Sequence, residues 1–230
     1  MQGVSIDNST LHFFILSSVV EKGFAPSIAD LCEHFSASRD EVVTGLTELA
    51  EYHGVVLHPK NFEVWVIHPF SLAPTNFWLE NSGGGWWSNC AWCALGAAAL
   101  IQADVTIKTT IGAEGRPARI RVFDGELVDK DYVIHFPVPM SKSWDNVIYT
   151  CSMMCLFQSE AQVENWCLRH NVGRGDVQPL EKMWRFARAW YGNHLDPDWK
   201  KWTASEARDL FREHGLEGAT WEIPSAADRF

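Results

Sequence analysis

The 230-residue sequence contains a cysteine pair, in Asn-Cys-Ala-Trp-Cys-Ala-Leu-Gly, whose spacing could support thiol chemistry. Cys90 and Cys93 are three residues apart, which places both side chains on one face of a helix. If Ser88 or Asn89 caps that helix, Cys90 lies in its first turn, where free N–H groups and the helix dipole stabilise a thiolate. The pair therefore predicts a catalytic or soft-metal site, and its alternative interpretation is two buried packing residues.

A second pair of cysteines lies in Tyr-Thr-Cys-Ser-Met-Met-Cys-Leu-Phe. The β-branched and aromatic residues at the start of this segment favour a strand over residues 147–157. In a strand Cys151 and Cys155 would be about 13 Å apart, too far to bind one ion. We therefore expect three thiols at the site, those of Cys90, Cys93 and Cys151, with Cys155 in the core or beside the site. A helical segment would instead allow four thiols around a zinc ion.

Other side chains could assist the chemistry, although each has a more common structural interpretation. His135 and His194 could transfer protons, but buried histidines more often pack and hydrogen-bond. Asp145 precedes the segment of the second cysteine pair and could supply a carboxylate if its loop folds back. Glu80, near a run of glycines, is a weaker candidate. The two remaining cysteines are expected to be packing residues on predicted helices: Cys32 and Cys167.

The composition argues against nucleic acid and membrane partners. The formal net charge is −10 and the pI is about 5.3, so the sequence lacks the basic surface that binds phosphates. No stretch approaches the roughly 18 apolar residues of a membrane span. The N-terminal residues lack the basic stretch of a signal peptide, and the cysteine content does not resemble a secreted disulfide framework. We expect a cytoplasmic protein that binds a small-molecule substrate, and the sequence leaves the oligomeric state open.

Residues 1–75 form the first of two predicted units. Apolar spacing predicts an initial helix, and Ser38 with Glu41 forms a capping box that opens another. The predicted elements are helices around 11–19, 28–35 and 38–52, then strands at 55–57 and 63–67. Three helices and a hairpin form a winged-helix-like pattern. Three basic residues against nine carboxylates in this unit argue for a structural or lid role instead of DNA binding.

Residues 76–230 form the second unit, predicted to be a thiol-site catalytic domain with a C-terminal helical extension. A connector containing proline and glycine, 69–85, leads into a helix from Cys90 to about residue 103. The other predicted elements are strands at 105–111, 118–123, 132–138 and 147–157, and helices at 159–170, 179–191 and 205–214. The predicted class is α+β: a winged-helix-like three-helix unit plus a mixed, mainly antiparallel sheet packed with helices.

From about residue 10 to 195 the sequence resembles the alkylmercury (organomercurial) lyases. The best stretches are 89–101, 115–122 and 151–170, and a shorter one covers 190–195. The resemblance implies a winged-helix-like part followed by a sheet-and-helix catalytic part. It also implies two cysteines that bind mercury, and an aspartate three residues after the first cysteine that relays the proton for cleaving the carbon–mercury bond. No cofactor is expected beyond mercury as substrate or product.

Two registers are possible at the key helix, and both lack the aspartate. The gap-free register makes Cys90 the first cysteine and puts Cys93 in the aspartate position. Matching Ala-Trp-Cys-Ala-Leu instead makes Cys93 the first cysteine and puts Gly96 in that position. The second alignment needs a three-residue deletion, which would rotate the rest of the helix by about 60°. We therefore favour the gap-free register, and Cys151 matches the second cysteine in either.

The working hypothesis is an alkylmercury-lyase-like enzyme. Cys90 and Cys151 would engage mercury, with Cys93 as proton donor or third ligand, because thiolates are the ligands a soft metal prefers. One alternative is a homologue acting on another carbon–heteroatom bond. A second alternative is a non-catalytic soft-metal-binding or thiol-redox module. In the first alternative, three tryptophans would line the substrate pocket: Trp86, Trp87 and Trp92.

Overall fold

The computed structural model describes residues 6–223. Within that range the chain forms eight α-helices, an eight-stranded sheet and a three-stranded sheet, and every strand pair is antiparallel. The α+β class predicted from sequence is confirmed. None of these helices is long and apolar enough to cross a membrane.

Three helices open the chain, and their starts follow from capping. The Ser38 side chain accepts from the Glu41 backbone N–H while the Glu41 carboxylate accepts from the Ser38 N–H, and Ser27 and Asp30 form a second such box. The capping box predicted at Ser38 is therefore present. The helices are α1 (Asn8–Lys22), α2 (Ile28–Phe35) and α3 (Arg39–Glu51).

The large sheet has the strand order β1-β2-β3-β5-β4-β6-β7-β8. Its strands are β1 (Val55–Leu57), β2 (Val64–Ile67), β3 (Phe70–Ser71), β4 (Phe77–Asn81), β5 (Gly84–Ser88), β6 (Val105–Thr110), β7 (Pro117–Phe123) and β8 (Glu126–Leu127). Because β3 pairs with both β2 and β5, the hydrogen-bonded ladder runs from the N-terminal hairpin to the strand that precedes Cys90.

The prediction of a connector over 69–85 is wrong, because this segment contributes β3, β4 and the beginning of β5. Phe77 and Leu79 are buried on one face of β4, which is the alternation of a half-buried strand. Gly85 serves close packing instead of flexibility, since a Cβ there would collide with the Trp78 ring. Gly85 thus allows Trp78 to lie against the backbone of the neighbouring strand.

Helix α4 (Ala91–Ile101) follows β5 and is buried along almost its whole length. The helix was predicted, but its cap is different from the expected one. Cys90 is itself the N-cap residue, and its sulfur accepts from the Cys93 N–H. The Asn89 amide donates to the Phe70 carbonyl instead. Cys90 therefore lies at the helix boundary and not inside the first turn.

The strand predicted over 147–157 is also wrong. Residues Val147–Met153 form helix α5, and only Leu156–Phe157 are extended, as β10. Asn146 caps the helix by accepting from the Tyr149 N–H at 3.0 Å. Ile148 and Tyr149 are exposed whereas Thr150 and Cys151 are buried, a pairwise pattern that a helix produces and an alternating strand does not.

The remaining elements form a small sheet and three helices. The sheet has the order β10-β9-β11, with β9 (Val133–Phe136) and β11 (Asp176–Pro179). The helices are α6 (Glu160–His170), α7 (Leu180–Tyr191) and α8 (Ala204–Glu213), close to their predicted bounds. Helix α7 buries Met183, Ala187 and Tyr191 at the spacing of one helical face, and it packs on α4.

Candidate active site

Three predicted thiols converge in the interior. The sulfur atoms of Cys90, Cys93 and Cys151 all lie within 4.8 Å of one another, and all three residues are buried. They come from the cap and first turn of α4 and from the last turn of α5. Cys155 is outside this cluster, because the chain leaves the helix before it and its thiol donates to the Ser152 carbonyl at 3.5 Å. The four-thiol alternative is therefore not formed.

Backbone contacts hold the two cysteine-bearing segments together. The Ala91 N–H donates to the Met154 carbonyl at 3.1 Å, which ties the start of α4 to the end of α5. The Cys93 N–H donates to the Cys90 sulfur at 3.2 Å. An N–H at the start of a helix is otherwise unpaired, so the Cys90 sulfur satisfies a backbone donor while it lies in the cluster.

Tyr191, on the last turn of α7, extends the cluster to a hydroxyl group. Its Oη lies 3.4 Å from the Cys93 sulfur, and both side chains are buried. The ring covers Gly96, one turn after Cys93 on α4, so closely that a Cβ at residue 96 would collide with it. Sequence reasoning did not single out Tyr191, because only the packing of α7 on α4 brings it to the thiols.

The cluster favours one thiolate, at Cys93. Burial raises the pKa of Cys93, but hydrogen bonds from the Cys151 and Cys90 thiols and from the Tyr191 hydroxyl outweigh it and hold the pKa well below its ordinary value. Burial raises the pKa of Cys90. Hydrogen bonding to the other two thiols, together with burial, raises the pKa of Cys151. Burial likewise raises the pKa of Tyr191, which keeps its hydroxyl protonated.

A cavity of about 70 Å³ opens on the cluster, with Cys93 and Cys151 in its wall. Cys90 is fully buried behind them and is not among the lining residues. A volume of this size holds a few water molecules or a small organic group. The wall is rich in aromatic rings, and its tryptophans are Trp92, Trp144, Trp190, Trp199 and Trp202.

Burial lowers the pKa of the basic side chains in the cavity wall, which favours their uncharged forms. Burial, with a contribution from His68, lowers the pKa of His12 to about 3. Burial lowers the pKa of Lys201 to about 6 and also lowers the pKa of His68 and His194. No carboxylate lies among the lining residues of the described chain. The cavity is therefore a neutral, largely apolar environment next to one thiolate.

The other predicted candidates divide clearly by position. His194 lines the cavity, as does Trp92 of the three expected tryptophans. His135 is a core residue whose Nε2 bonds the Arg174 carbonyl at 2.7 Å. Asp145 is exposed and pairs with Lys142. The remaining ones are engaged elsewhere: Glu80 with Lys108, Trp86 with the Val19 carbonyl, Trp87 with the Trp78 ring, Cys32 half-buried on α2, and Cys167 against His135.

Comparison with known proteins finds a matching family model and matching solved structures. The sequence model of the family described as "MerB: Alkylmercury lyase" matches residues 70–192, more than half of the chain. A solved structure, the "Crystal structure of the mercury-bound form of MerB2", superimposes with a TM-score of 0.65 at 20% identity and covers 82% of this chain and 91% of that chain. At this identity the superposition shows a common fold. A search among curated proteins finds no match.

Proposed function

Since the chain belongs to the alkylmercury lyase family, we propose that it cleaves a carbon–mercury bond with the thiols of Cys93 and Cys151, with Cys90 behind them. The observation that carries this proposal is the group of three buried sulfur atoms within 4.8 Å of one another at an apolar cavity. Thiolates prefer soft metal ions, and few other ligand sets would select mercury over harder cations.

The position of the cavity supports different roles for the three thiols. In the gap-free register, Cys90 would meet the substrate first and Cys93 would be proton donor or third ligand. The lining of the cavity by Cys93 and Cys151, together with the lowered pKa of Cys93, supports the other register, in which Cys93 attacks first. Its thiolate forms the first sulfur–mercury bond, and Cys151 provides the second.

The cavity wall fits the organic group of such a substrate. Aromatic rings offer an apolar surface to a methyl or phenyl group, and the neutral basic residues place no charge against it. An organic group that fills this space would displace water from it, and electrostatic interactions are stronger in such an environment.

The test is incubation of the reduced protein with methylmercury or phenylmercury, following methane or benzene in the gas phase and mercury on the protein. We expect hydrocarbon release together with one mercury bound per chain. Cys93→Ser and Cys151→Ser should each abolish release, whereas Cys155→Ser should not, because Cys155 is buried outside the cluster. Stoichiometric mercury retention without any hydrocarbon would overturn the lyase proposal.

One geometric feature favours a second function, that of a soft-metal-binding module. Three sulfur atoms at these distances could hold one ion without any chemistry on it. In that case protein purified under reducing conditions would carry a bound metal such as zinc or copper. An empty, reduced site that releases hydrocarbon on addition of an organomercurial would favour the enzyme.

A further inference from the structure

Cleaving a carbon–mercury bond requires a proton for the departing carbon, and the cavity wall offers no carboxylic acid to supply it. The position one turn after Cys93 is Gly96, which has no side chain. The structure shows why this position must be glycine: the Tyr191 ring occupies the space that a side chain at residue 96 would need. The same ring carries a hydroxyl group to 3.4 Å from the Cys93 sulfur.

Two other protic groups of the cavity, those of His194 and Lys201, are held differently. His194 Nδ1 contacts the Asn193 side chain at 3.1 Å, and Lys201 Nζ lies 3.9 Å from the centre of the Trp144 ring. The Tyr191 hydroxyl, by contrast, is in direct contact with the sulfur that would carry the mercury. A substrate bound to Cys93 would therefore have this hydroxyl beside its reacting bond.

We propose that Tyr191 is a catalytic residue that donates the proton to the departing carbon, a role made possible by the missing side chain at Gly96. This inference rests on the proposed function. In the step, the electron pair of the carbon–mercury bond takes the hydroxyl proton, so that a C–H bond forms as the O–H bond breaks. The tyrosinate then recovers a proton from the Cys151 thiol, whose sulfur becomes the second mercury ligand. The balance is R–Hg–S plus H–S giving R–H plus S–Hg–S, and mercury stays divalent.

The position of the Tyr191 hydroxyl meets the chemical requirements for donating a proton to the departing carbon. A carbanion equivalent is far more basic than a phenolate, so position decides whether a phenol can serve as the acid. Helix α7 fixes that position, because Tyr191 is fully surrounded and packs against both Trp92 and His194. A rigid neighbour at contact distance is what proton transfer in the transition state requires.

Tyr191→Phe is the first test, since it keeps the ring over Gly96 and removes only the hydroxyl. We expect this variant to capture phenylmercury stoichiometrically and to accumulate the adduct with its phenyl group intact, as seen by protein mass spectrometry. Benzene release should fall by roughly 10²-fold or more. Tyr52→Phe is the matched control, because the Tyr52 hydroxyl accepts from the Lys201 backbone N–H and Tyr52 is not a lining residue.

A second pair of variants covers the case in which Tyr191→Phe does not fold. Tyr191→Ala frees the space above Gly96, and adding Gly96→Asp places a carboxylic acid there. The double variant should release benzene at least about tenfold faster than Tyr191→Ala alone, whereas equal rates would overturn the proposal. If Tyr191→Phe released benzene at the wild-type rate, the proposal for Tyr191 would also be overturned, while the lyase function would stand. Absence of benzene from the wild-type protein would instead reject the lyase function itself.

Discussion

The Tyr191 ring lies against the backbone of Gly96, filling the space of the side chain that this helical position lacks. Glycine inside a helix normally costs about 1 kcal/mol relative to alanine, so an alanine here would be stabilising if it fitted. It does not fit, since its Cβ would meet the buried ring of a neighbouring helix. Glycine at residue 96 therefore lowers the helix propensity of α4, but it allows α7 to pack closely against α4.

Gly96→Ala should therefore lower the free energy of unfolding by about 1–3 kcal/mol through overpacking. The measurement is urea unfolding. Gly115→Ala is the matched control, because nothing lies within 4 Å of a Cβ at Gly115, and it should be close to neutral. In a Tyr191→Ala background the Gly96→Ala substitution should lose most of its cost, so purely additive effects in this cycle would contradict the packing argument.

The cap of helix α5 provides a second prediction, because that helix carries Cys151. Asn146→Ala removes the side chain that accepts from the Tyr149 N–H and should cost about 1 kcal/mol of stability. Ser159→Ala removes the cap of α6 and should cost about the same. Only Asn146→Ala should slow phenylmercury capture, measured by stopped-flow loss of Trp fluorescence. Equal capture rates in the two variants would show that the α5 cap does not position Cys151.

One of the buried histidines at the cavity, His12, predicts a dependence of stability on pH. The pKa of His12 falls from 6.5 to about 3, mainly through burial, so between these pH values the unfolded chain binds a proton that the folded chain does not. The stabilising contribution is therefore present above pH 6.5 and is lost as the pH falls towards 3, on the order of 4–5 kcal/mol in full.

His12→Leu should make this acid slope shallower, measured as the free energy of unfolding at intervals between pH 7 and pH 4; His68 and His194, whose pKa is also lowered, account for the slope that remains. The control is His34→Leu, since His34 stacks on the Phe14 ring as His12 stacks on the Trp199 ring, but His34 is exposed. An acid slope in His12→Leu as steep as that of the wild-type protein would contradict the assignment to this residue.

Local signals in the sequence predicted much of the fold and part of the site. Helix α1 was located by its apolar spacing, and α3 by the capping box of Ser38 with Glu41. The β-branched and aromatic residues at the start of α5 led to the wrong prediction of a strand, because strand propensity is weak. The Asn146 cap and the burial of Thr150 and Cys151 on one side of the helix outweigh it.

The contents of the cavity could not be predicted in the same way. Cys93 and Cys151 are 58 positions apart, and Tyr191 is 98 positions from Cys93. Their meeting depends on how α4, α5 and α7 pack, which no local pattern contains. Cysteine spacing and the family resemblance both pointed to the thiols, but neither singled out Tyr191.

The last prediction concerns Cys90, the thiol behind the pair at the cavity. Its sulfur caps α4 and also lies within reach of an ion held by the other two, so it should act as a third ligand that retains the mercuric product. Cys90→Ser separates these roles, because a serine hydroxyl is a good N-cap acceptor and a poor ligand for a soft metal. Transfer of mercury from the protein to a competing dithiol should become on the order of tenfold faster, equivalent to about 1.4 kcal/mol of lost binding. The unfolding midpoint in urea should change little, and the first turnover of phenylmercury should keep its rate. An unchanged rate of mercury transfer from Cys90→Ser would mean that the Cys90 sulfur only caps the helix and does not bind the product.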